Sequence, residues 1–389
     1  MRLGMFLEGL AQVADTELLI LPVAGSLSEG LALPDELAVP TRPIHVAGRT
    51  DTQYALLSMI ENPERRLDAF KTYGRGSRHA FVSLPVQQEV RQFASRLAPF
   101  DIVHGGRLYI SEAALAVPAR FRTLDLDEDD AWSWRLESRT AQLSGNETRA
   151  AWTAAEAEAE DRLLARIAPC FDRLFISGSV DAARHPELEL DVIANGVEFA
   201  GPLNRDDDGG TLLFVGGFGY QPNVEGILWF ASEVWGAVRS EVPAARLLIA
   251  GRNMPESVQA LAGAPGVKIL GALERVETAY AQATLAIAPL NLGGGTRIKL
   301  IEAASFGVPI VSTALAAQGL DFGPGAIWTA DGPAAFAQAI VAALRDRPER
   351  ERRAMLAHAA ALRSYDRRKI VDEISSQFER LLTQTAKAR

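Results

Sequence analysis

The densest concentration of chemistry in this 389-residue chain lies at positions 288–313, A-P-L-N-L-G-G-G-T-R-I-K-L-I-E-A-A-S-F-G-V-P-I-V-S-T. An apolar run ends at Pro289, glycines follow at Gly293, Gly294 and Gly295, and a helical pattern begins near Thr296. Glycines there let backbone N–H groups come close to a ligand, and a helix N-terminus adds partial positive charge. Arg297 and Lys299 add full charges beside it, a combination suited to a diphosphate. Gly295, Lys299 and Glu302 stand at i, i+4 and i+7 and so share one helix face. A carboxylate two turns beyond an anion-binding end suits the hydroxyl groups of a sugar or ribose, while Ile298 and Ile301 point toward the sheet. The plainer reading is a strand-to-helix turn with glycines for packing and a Lys299–Glu302 surface pair.

The elements that would position this segment alternate along the whole chain. Short β-rich runs at 17–23, 43–47, 80–84, 101–104, 121–126, 173–177 and 191–194 are interspersed with helical stretches such as 3–13, 87–97 and 147–168. After the polar break N-R-D-D-D-G-G at 204–210, read as a solvated linker, the rhythm restarts. Strands are predicted at 211–215, 246–250, 267–270, 285–288 and 308–312. Helices are predicted at 224–238, 256–262, 275–282, 296–306 and 334–345, with a helical tail at 351–382. Alternation at this pitch predicts the α/β class, with open, mostly parallel sheets covered on both faces. In such folds ligands sit at the carboxyl ends of strands, and with two domains the cleft between them is the default site.

Composition narrows the function classes. Forty basic against 49 acidic residues give a formal charge of −9, which makes a poor non-specific nucleic-acid binder and leaves only a local basic patch for such a role. The single cysteine, Cys170, allows no internal disulfide and no cysteine-rich zinc site, as suits a reducing compartment. Glu8, Asp15 and Glu17 interrupt any signal-peptide core, and no long uncharged apolar run occurs, so a soluble, cytoplasmic chain is expected. Walker A, H-E-x-x-H and G-x-S-x-G patterns are absent, and Pro222 stands where a dinucleotide fingerprint begun at Gly217 and Gly219 needs its third glycine.

Taken together, L-F-V-G-G at 213–217, Y-Q-P-N at 220–223, the G-G-G-T-R-I-K-L-I-E run and G-V-P-I-V-S-T at 307–313 resemble the retaining bacterial glycosyltransferases of family 4. A-N-G-V at 194–197 is similar to that family's N-G-V segment before the interdomain crossover. The resemblance covers roughly residues 211–364. It implies the GT-B fold: two Rossmann-like, doubly wound domains facing across a cleft, with a C-terminal helix crossing back. The expected division is residues 1–200, 201–365 and a helix at 366–389 that packs on the first domain.

The resemblance also implies a UDP- or GDP-sugar donor held by the second domain, with no further cofactor and no metal. Glu302 matches the second glutamate of the family's E-x7-E motif, which binds the donor ribose. The first glutamate falls at Gly294, as in the G-G-G-T-R-x-K variant, leaving the donor sugar to backbone amides of Gly294, Gly295 and Thr296. The family's diphosphate-binding arginine and lysine fall at Gly217 and at Val224 or Glu225, so Arg297 and Lys299 take that role here; Gly217 and Asn223 complete the donor set.

In the first half, D-I-V-H at 101–104 resembles the family's D-x-x-H strand end, which makes His104 a candidate beside the donor sugar; a strand-end histidine satisfied by backbone is the alternative. D-L-D-E-D-D at 125–130 resembles a D-x-x-D segment of related polysaccharide transferases. Asp127 is its candidate for acceptor hydroxyls or general base, against a solvated acidic loop or, more weakly, a metal site. Trp132, Trp134 and Trp152 flank it as sugar-stacking or packing residues. Arg65, Arg66, Lys71, Arg75 and Arg78 read either as a solvated face or as a peripheral contact with an anionic membrane surface or lipid-linked acceptor. The family's first strand and glycine loop are expected to be missing. A non-catalytic sugar-nucleotide-binding or scaffold relative is the alternative to a transferase acting on a glycan or lipid-linked acceptor. A GT-B epimerase or phosphorylase would need acid/base pairs or a cofactor lysine that the sequence does not show.

Overall fold

The computed structural model describes residues 2–21, 39–43, 52–97, 99–199 and 201–384. It divides into two units, Met1–Ala194 with Lys369–Arg389, and Asn195–Arg368. Both units are α/β with parallel sheets.

In the first unit, β1 (Leu18–Ile20) and β2 (Thr41–Pro43) form a parallel pair. β3 (Phe100–Gly106), β4 (Ala119–Asp127), β5 (Arg173–Ile176) and β6 (Leu190–Val192) form a parallel sheet in that spatial order. One face is covered by the first and last helices of the described chain. Met5 and Phe6 of helix Arg2–Ala11 share a core with Ile370, Val371, Ile374 and Phe378 of helix Arg367–Thr383, and both meet Phe175 and Ile193. The two helices approach through Gly9, where a Cβ would come within 2.6 Å of Ile374. Burial of this amphipathic stripe, more than helix propensity, holds the last helix in place.

The run at 80–84 is not a strand. Ser77–Phe81 is a 3₁₀ turn, and Leu84–Ser95 is a helix with proline in its first turn and Ser83 at its N-cap. Proline suits that position, and Val86, Val90 and Ala94 recur at helical spacing toward the core. Of the expected strand at 17–23, Leu18–Ile20 is formed and residues 22–23 lie outside the described residues; of that at 43–47, residues 44–47 do.

The second unit is built on β7 (Thr211–Val215), β8 (Arg246–Ala250), β9 (Val267–Gly271), β10 (Leu285–Ala288), β11 (Ile310–Ser312) and β12 (Trp328–Thr329). Their order, β12-β11-β10-β7-β8-β9, runs outward in both directions from the adjacent pair β7 and β10. Residues on both faces of β7 are buried, Leu212, Leu213 and Phe214 each at 1% exposure or less, which is why it reads as a continuous apolar run. The helix after β7 spans Gln221–Trp229 and Trp235–Glu241, joined by a π-helical turn at Phe230–Val234 that sets Phe230 against Phe336.

The acidic break at 204–210 faces solvent at Asn204, Asp206 and Asp208, as read from the sequence, and is also pinned to the unit. Asp208 accepts hydrogen bonds from the backbone of Gly210 and Thr211, and Asp207 accepts from Thr284 and from the buried Arg350 at 2.8 Å. Short aspartate side chains bond the backbone two or three residues on more readily than they stay in water. The helical tail is likewise divided, into Arg347–Ser364 and Arg367–Thr383, because Tyr365 and Arg367 exchange backbone hydrogen bonds with Val197.

Because Phe378 is fully buried where the first and last helices meet, Phe378→Ala is expected to cost the first unit about 3–5 kcal/mol. Denaturant titration of that unit's unfolding transition measures it.

Candidate functional site

The sheet order of the second unit creates a crevice. Chains leave the carboxyl ends of β7 and β10 in opposite directions, and in open α/β sheets such a switch point is where ligands bind. The β7 side supplies Gly216, Gly217 and the first turn of helix Gln221–Trp229; the β10 side supplies the glycine loop and helix Ile298–Ser305. Positions Gly217, Asn223, Gly294, Gly295, Thr296, Arg297, Lys299 and Glu302 are all here, on the two flanks of one crevice.

The flanks are tied together by side chains. Lys299 Nζ donates to Asn223 Oδ1 at 2.6 Å and stands 4.3 Å from the centre of the Phe214 ring. Asn223 Nδ2 in turn donates to Gly217 O at 2.8 Å. Tyr220 Oη lies 3.4 Å from Gly294 O, and a Cβ on Gly293, whose φ is +97°, would fall 2.2 Å from that hydroxyl. Only glycine fits this close approach. Above Gly217 there is room: a Cβ there meets no atom within 4 Å.

Arg297 is 7% exposed and folds back on its own loop, donating to Gly293 O and Gly294 O, while its Nε has no partner. Its charge therefore lies at the start of helix Ile298–Ser305, where the helix already favours anions. Burial, aided by nearby Arg297, takes Lys299 down to about 7 against the pull of Glu302. Burial also takes Glu302 up to about 7, against Lys299 and Tyr280. Tyr280 Oη donates to Lys299 O at 3.2 Å and stands 3.5 Å from Glu302 Oε2. At the positions where the family resemblance sets a lysine, Val224 is buried and Glu225 is bonded by Gln221. Phe214 and Tyr220 lie within motifs that carry the resemblance but are not site candidates from the sequence, and nothing beyond its aromatic character marks Tyr280.

His104 and Asp127 belong to the first unit. His104 stacks on Phe6 at 4.6 Å and meets Phe175 and Phe378, its Nδ1 pairs with Thr123 Oγ1 at 2.9 Å, and its Nε2 is buried without a partner. Burial, reinforced by Arg2, lowers it to about 3, so the ring is neutral at pH 7 and faces the core of its own unit.

The carboxylates at 125–130 are individually engaged rather than solvated. Asp125 takes Arg2 at 2.7–3.0 Å, Asp127 takes Arg107 at 2.8 Å, and Glu128 lies 3.4 Å from Arg107. Asp129 caps the helix Asp130–Leu143 through Trp132 N, and Asp130 takes Arg78 at 2.6 Å. Asp127 and Arg107 both hold positive φ, +63° and +115°, at the carboxyl edge of β3 and β4; such strain in non-glycine residues gathers at working sites. Trp132 lies under Arg184, Trp134 under Arg78 and Trp152 against Phe70, so all three pack against protein. Among the basic residues, Arg75 pairs with Glu112 and Arg66 bonds Ile60 O, whereas Arg65 and Lys71 are exposed. Among the described residues no group of three or more His, Cys, Asp or Glu side chains could hold a metal ion, and no helix is long and apolar enough to cross a membrane.

A sequence model of the family described as "Glycosyl transferases group 1" matches residues 209–346, the segment that contains the whole crevice. The fold is that of GT-B glycosyltransferase structures. TarM of S. aureus is similar with a TM-score of 0.62 at 9% identity, over 77% of this chain and 59% of that one. The chain thus spans less than two thirds of TarM's length. HepE of Anabaena, solved with UDP and glucose, is similar with a TM-score of 0.56 at 13% identity, over 75% of this chain and 81% of that one. WaaG, a glycosyltransferase involved in lipopolysaccharide biosynthesis, is similar with a TM-score of 0.58 at 15% identity, over 99% of this chain and 95% of that one. No curated protein matches the chain.

The shifted groups carry a pH signature. Lys299 is lowered, so the folded state disfavours its proton, and that penalty is fully present below pH 7 and fades as pH rises toward the lysine's ordinary 10.5. Lys299→Met removes it. The melting temperature of the variant relative to wild type is expected to be highest at pH 6–7 and to decline steadily toward pH 10, as read by thermal melts across that range.

Proposed function

We propose that this chain is a retaining glycosyltransferase that moves a sugar from a UDP- or GDP-sugar to a glycan or lipid-linked acceptor in cell-envelope polysaccharide assembly. The observation that carries the reading is the convergence of two buried or half-buried cations and a helix N-terminus at the switch point of β7 and β10, inside the matched segment. Negative charge grows on the departing diphosphate as the glycosidic bond to it breaks. Lys299, Arg297 and the first amides of the glycine loop and helix are placed to take up that charge in a site poor in water. Arg297 can exchange the carbonyls of Gly293 and Gly294 for phosphate oxygens, a stronger charge-assisted pairing. Glu302, one turn into the helix that begins at Ile298, is set to receive the ribose hydroxyls, with Tyr280 Oη 3.5 Å from it.

The attacking hydroxyl approaches the same face that the diphosphate leaves, and a donor phosphate oxygen takes its proton, which is how configuration is kept. In the first unit Asp127 is the acceptor-side carboxylate, pinned by Arg107 and Arg2. His104 serves as a neutral packing ring against Phe6, Phe175 and Phe378. The structures solved with UDP support a nucleotide donor by likeness of fold. A scaffold role is favoured by one observation, Gly294 in place of the glutamate.

Turnover separates the two readings. A panel of UDP- and GDP-sugars is expected to give sugar transfer or slow donor hydrolysis with at least one donor; no turnover with any of them points to the scaffold. Arg297→Ala is expected to weaken nucleoside-diphosphate binding about 10- to 100-fold, the worth of a charge-assisted pair, when measured by calorimetry. Wild-type affinity in that variant removes Arg297 from the site.

A further inference from the structure

We propose that Asn223 is a positioning residue for Lys299, an amide that reaches across the switch point and fixes where the ammonium stands when a diphosphate arrives. The inference rests on reading the crevice as a nucleoside-diphosphate site. It assigns to Asn223 a role other than direct contact with the donor, because the side chain is only 6% exposed and both ends of its amide are engaged. Oδ1 accepts from Lys299 Nζ at 2.6 Å and Nδ2 donates to Gly217 O at 2.8 Å. An ammonium can only donate and a carbonyl oxygen can only accept, so these neighbours fix the orientation of the amide. Its contribution to a ligand therefore runs through Lys299 on one flank and the Gly216–Gly217 loop on the other.

The packing leaves little slack. A Cβ on Gly216 would meet Asn223 Cγ and Nδ2 at 2.9 Å and Lys299 Nζ at 3.2 Å, so the contact closes over a bare glycine. Phe214 walls the ammonium on a further side, its ring centre 4.3 Å away. A lysine in so confined a place either loses its proton or finds an acceptor. Asn223 supplies the acceptor without supplying a charge. A carboxylate at the same position would hold Lys299 in an ion pair that an incoming diphosphate must break and would repel the phosphates as well. A neutral oxygen keeps the ammonium in place and leaves its charge for the ligand.

The charges that act on Lys299 are Arg297, which disfavours its proton, and Glu302, which favours it. Glu302 is in turn affected by Tyr280 and Glu277. Asn223 and Phe214, on the β7 side, carry none. UDP and GDP affinities of the full chain are to be measured by calorimetry from pH 6 to pH 9 for wild type, Asn223→Ala, Asn223→Asp and Lys299→Met, with thermal melts to confirm folding.

For wild type, affinity is expected to hold level below about pH 7 and then to fall by up to about tenfold per pH unit. Asn223→Ala moves the break to lower pH and weakens binding about tenfold at pH 7.5, the loss of one charge-assisted hydrogen bond. Asn223→Asp, which preserves size, moves the break to higher pH while weakening binding at pH 6. Lys299→Met removes the lysine's share of the break and, in a Glu302→Gln background that removes the other group taken to about 7, abolishes it. A break that stays put in both Asn223 variants, with affinity lowered equally at every pH, marks a structural asparagine and overturns the inference alone. A break that survives Lys299→Met in the Glu302→Gln background does the same. Failure of both nucleotides to bind wild type overturns the site reading and this inference with it.

Discussion

A cation meant to meet an anion must be kept out of bulk water without being neutralised first. Lys299 is where that constraint falls in the second unit. Its ammonium stands over the Phe214 ring, its charge is opposed by Arg297, and one uncharged oxygen from Asn223 offsets the loss of hydration. Much else there follows. Gly216 has no side chain because Asn223 and Lys299 fill its space, and Gly293 has none because Tyr220 does. The parallel order of the sheet is what brings β7 and β10 side by side, so that residues 76 positions apart in sequence can share a proton donor and acceptor.

The first unit solves a different electrostatic problem at the carboxyl edge of its sheet. Six consecutive positions, 125–130, carry five carboxylates, and each has found a basic side chain or a backbone N–H. Arg2 is the member that ties this edge to the first helix, taking Asp125 with one part of its guanidinium and Ile193 O with another. Desolvated charges this close remain tolerable only as a matched set, since a partner removed leaves a buried charge behind. The left-handed backbone of Asp127 and Arg107 is held by the same set.

Much of the second unit was legible from its sequence, and the reason is physical. Its strands are buried on both faces, so 212–215, 247–250 and 285–288 appear as uninterrupted apolar runs, and Gly293 of its loop answers to a close approach that no other residue allows. The first unit was less legible. The run at 80–84 is apolar enough for a strand, but Pro85, two residues after Ser83, suits the first turn of the helix that begins at Leu84, a local signal that outweighed hydrophobicity. The aspartates at 206–208 read as solvated charge, which holds for Asp206 and Asp208, but a linear reading does not show Arg350, more than 140 positions away, arriving to meet Asp207. His104 illustrates the limit most directly. Its place at a strand end suggested chemistry, whereas the rings that enclose it come from the first helix and the last, segments that no local pattern connects to it. The pairing of Asn223 with Lys299 was invisible for the same reason: each residue was a candidate, and only the sheet order joins them.

The π-helical turn at Phe230–Val234 has a mechanical meaning for the crevice. Such a turn accommodates one residue more than an α-helical turn would. Excising a single residue there would let the segment rewind as plain α-helix with its two halves nearly in their present phase, because the π-turn spends its extra residue on width and not on rotation. What would be lost is the bulge that sets Phe230 against Phe336, just before Trp235, whose indole donates to Pro265 O. The extra residue thus widens a hydrophobic anchor while leaving the end that carries Asn223 aimed as before.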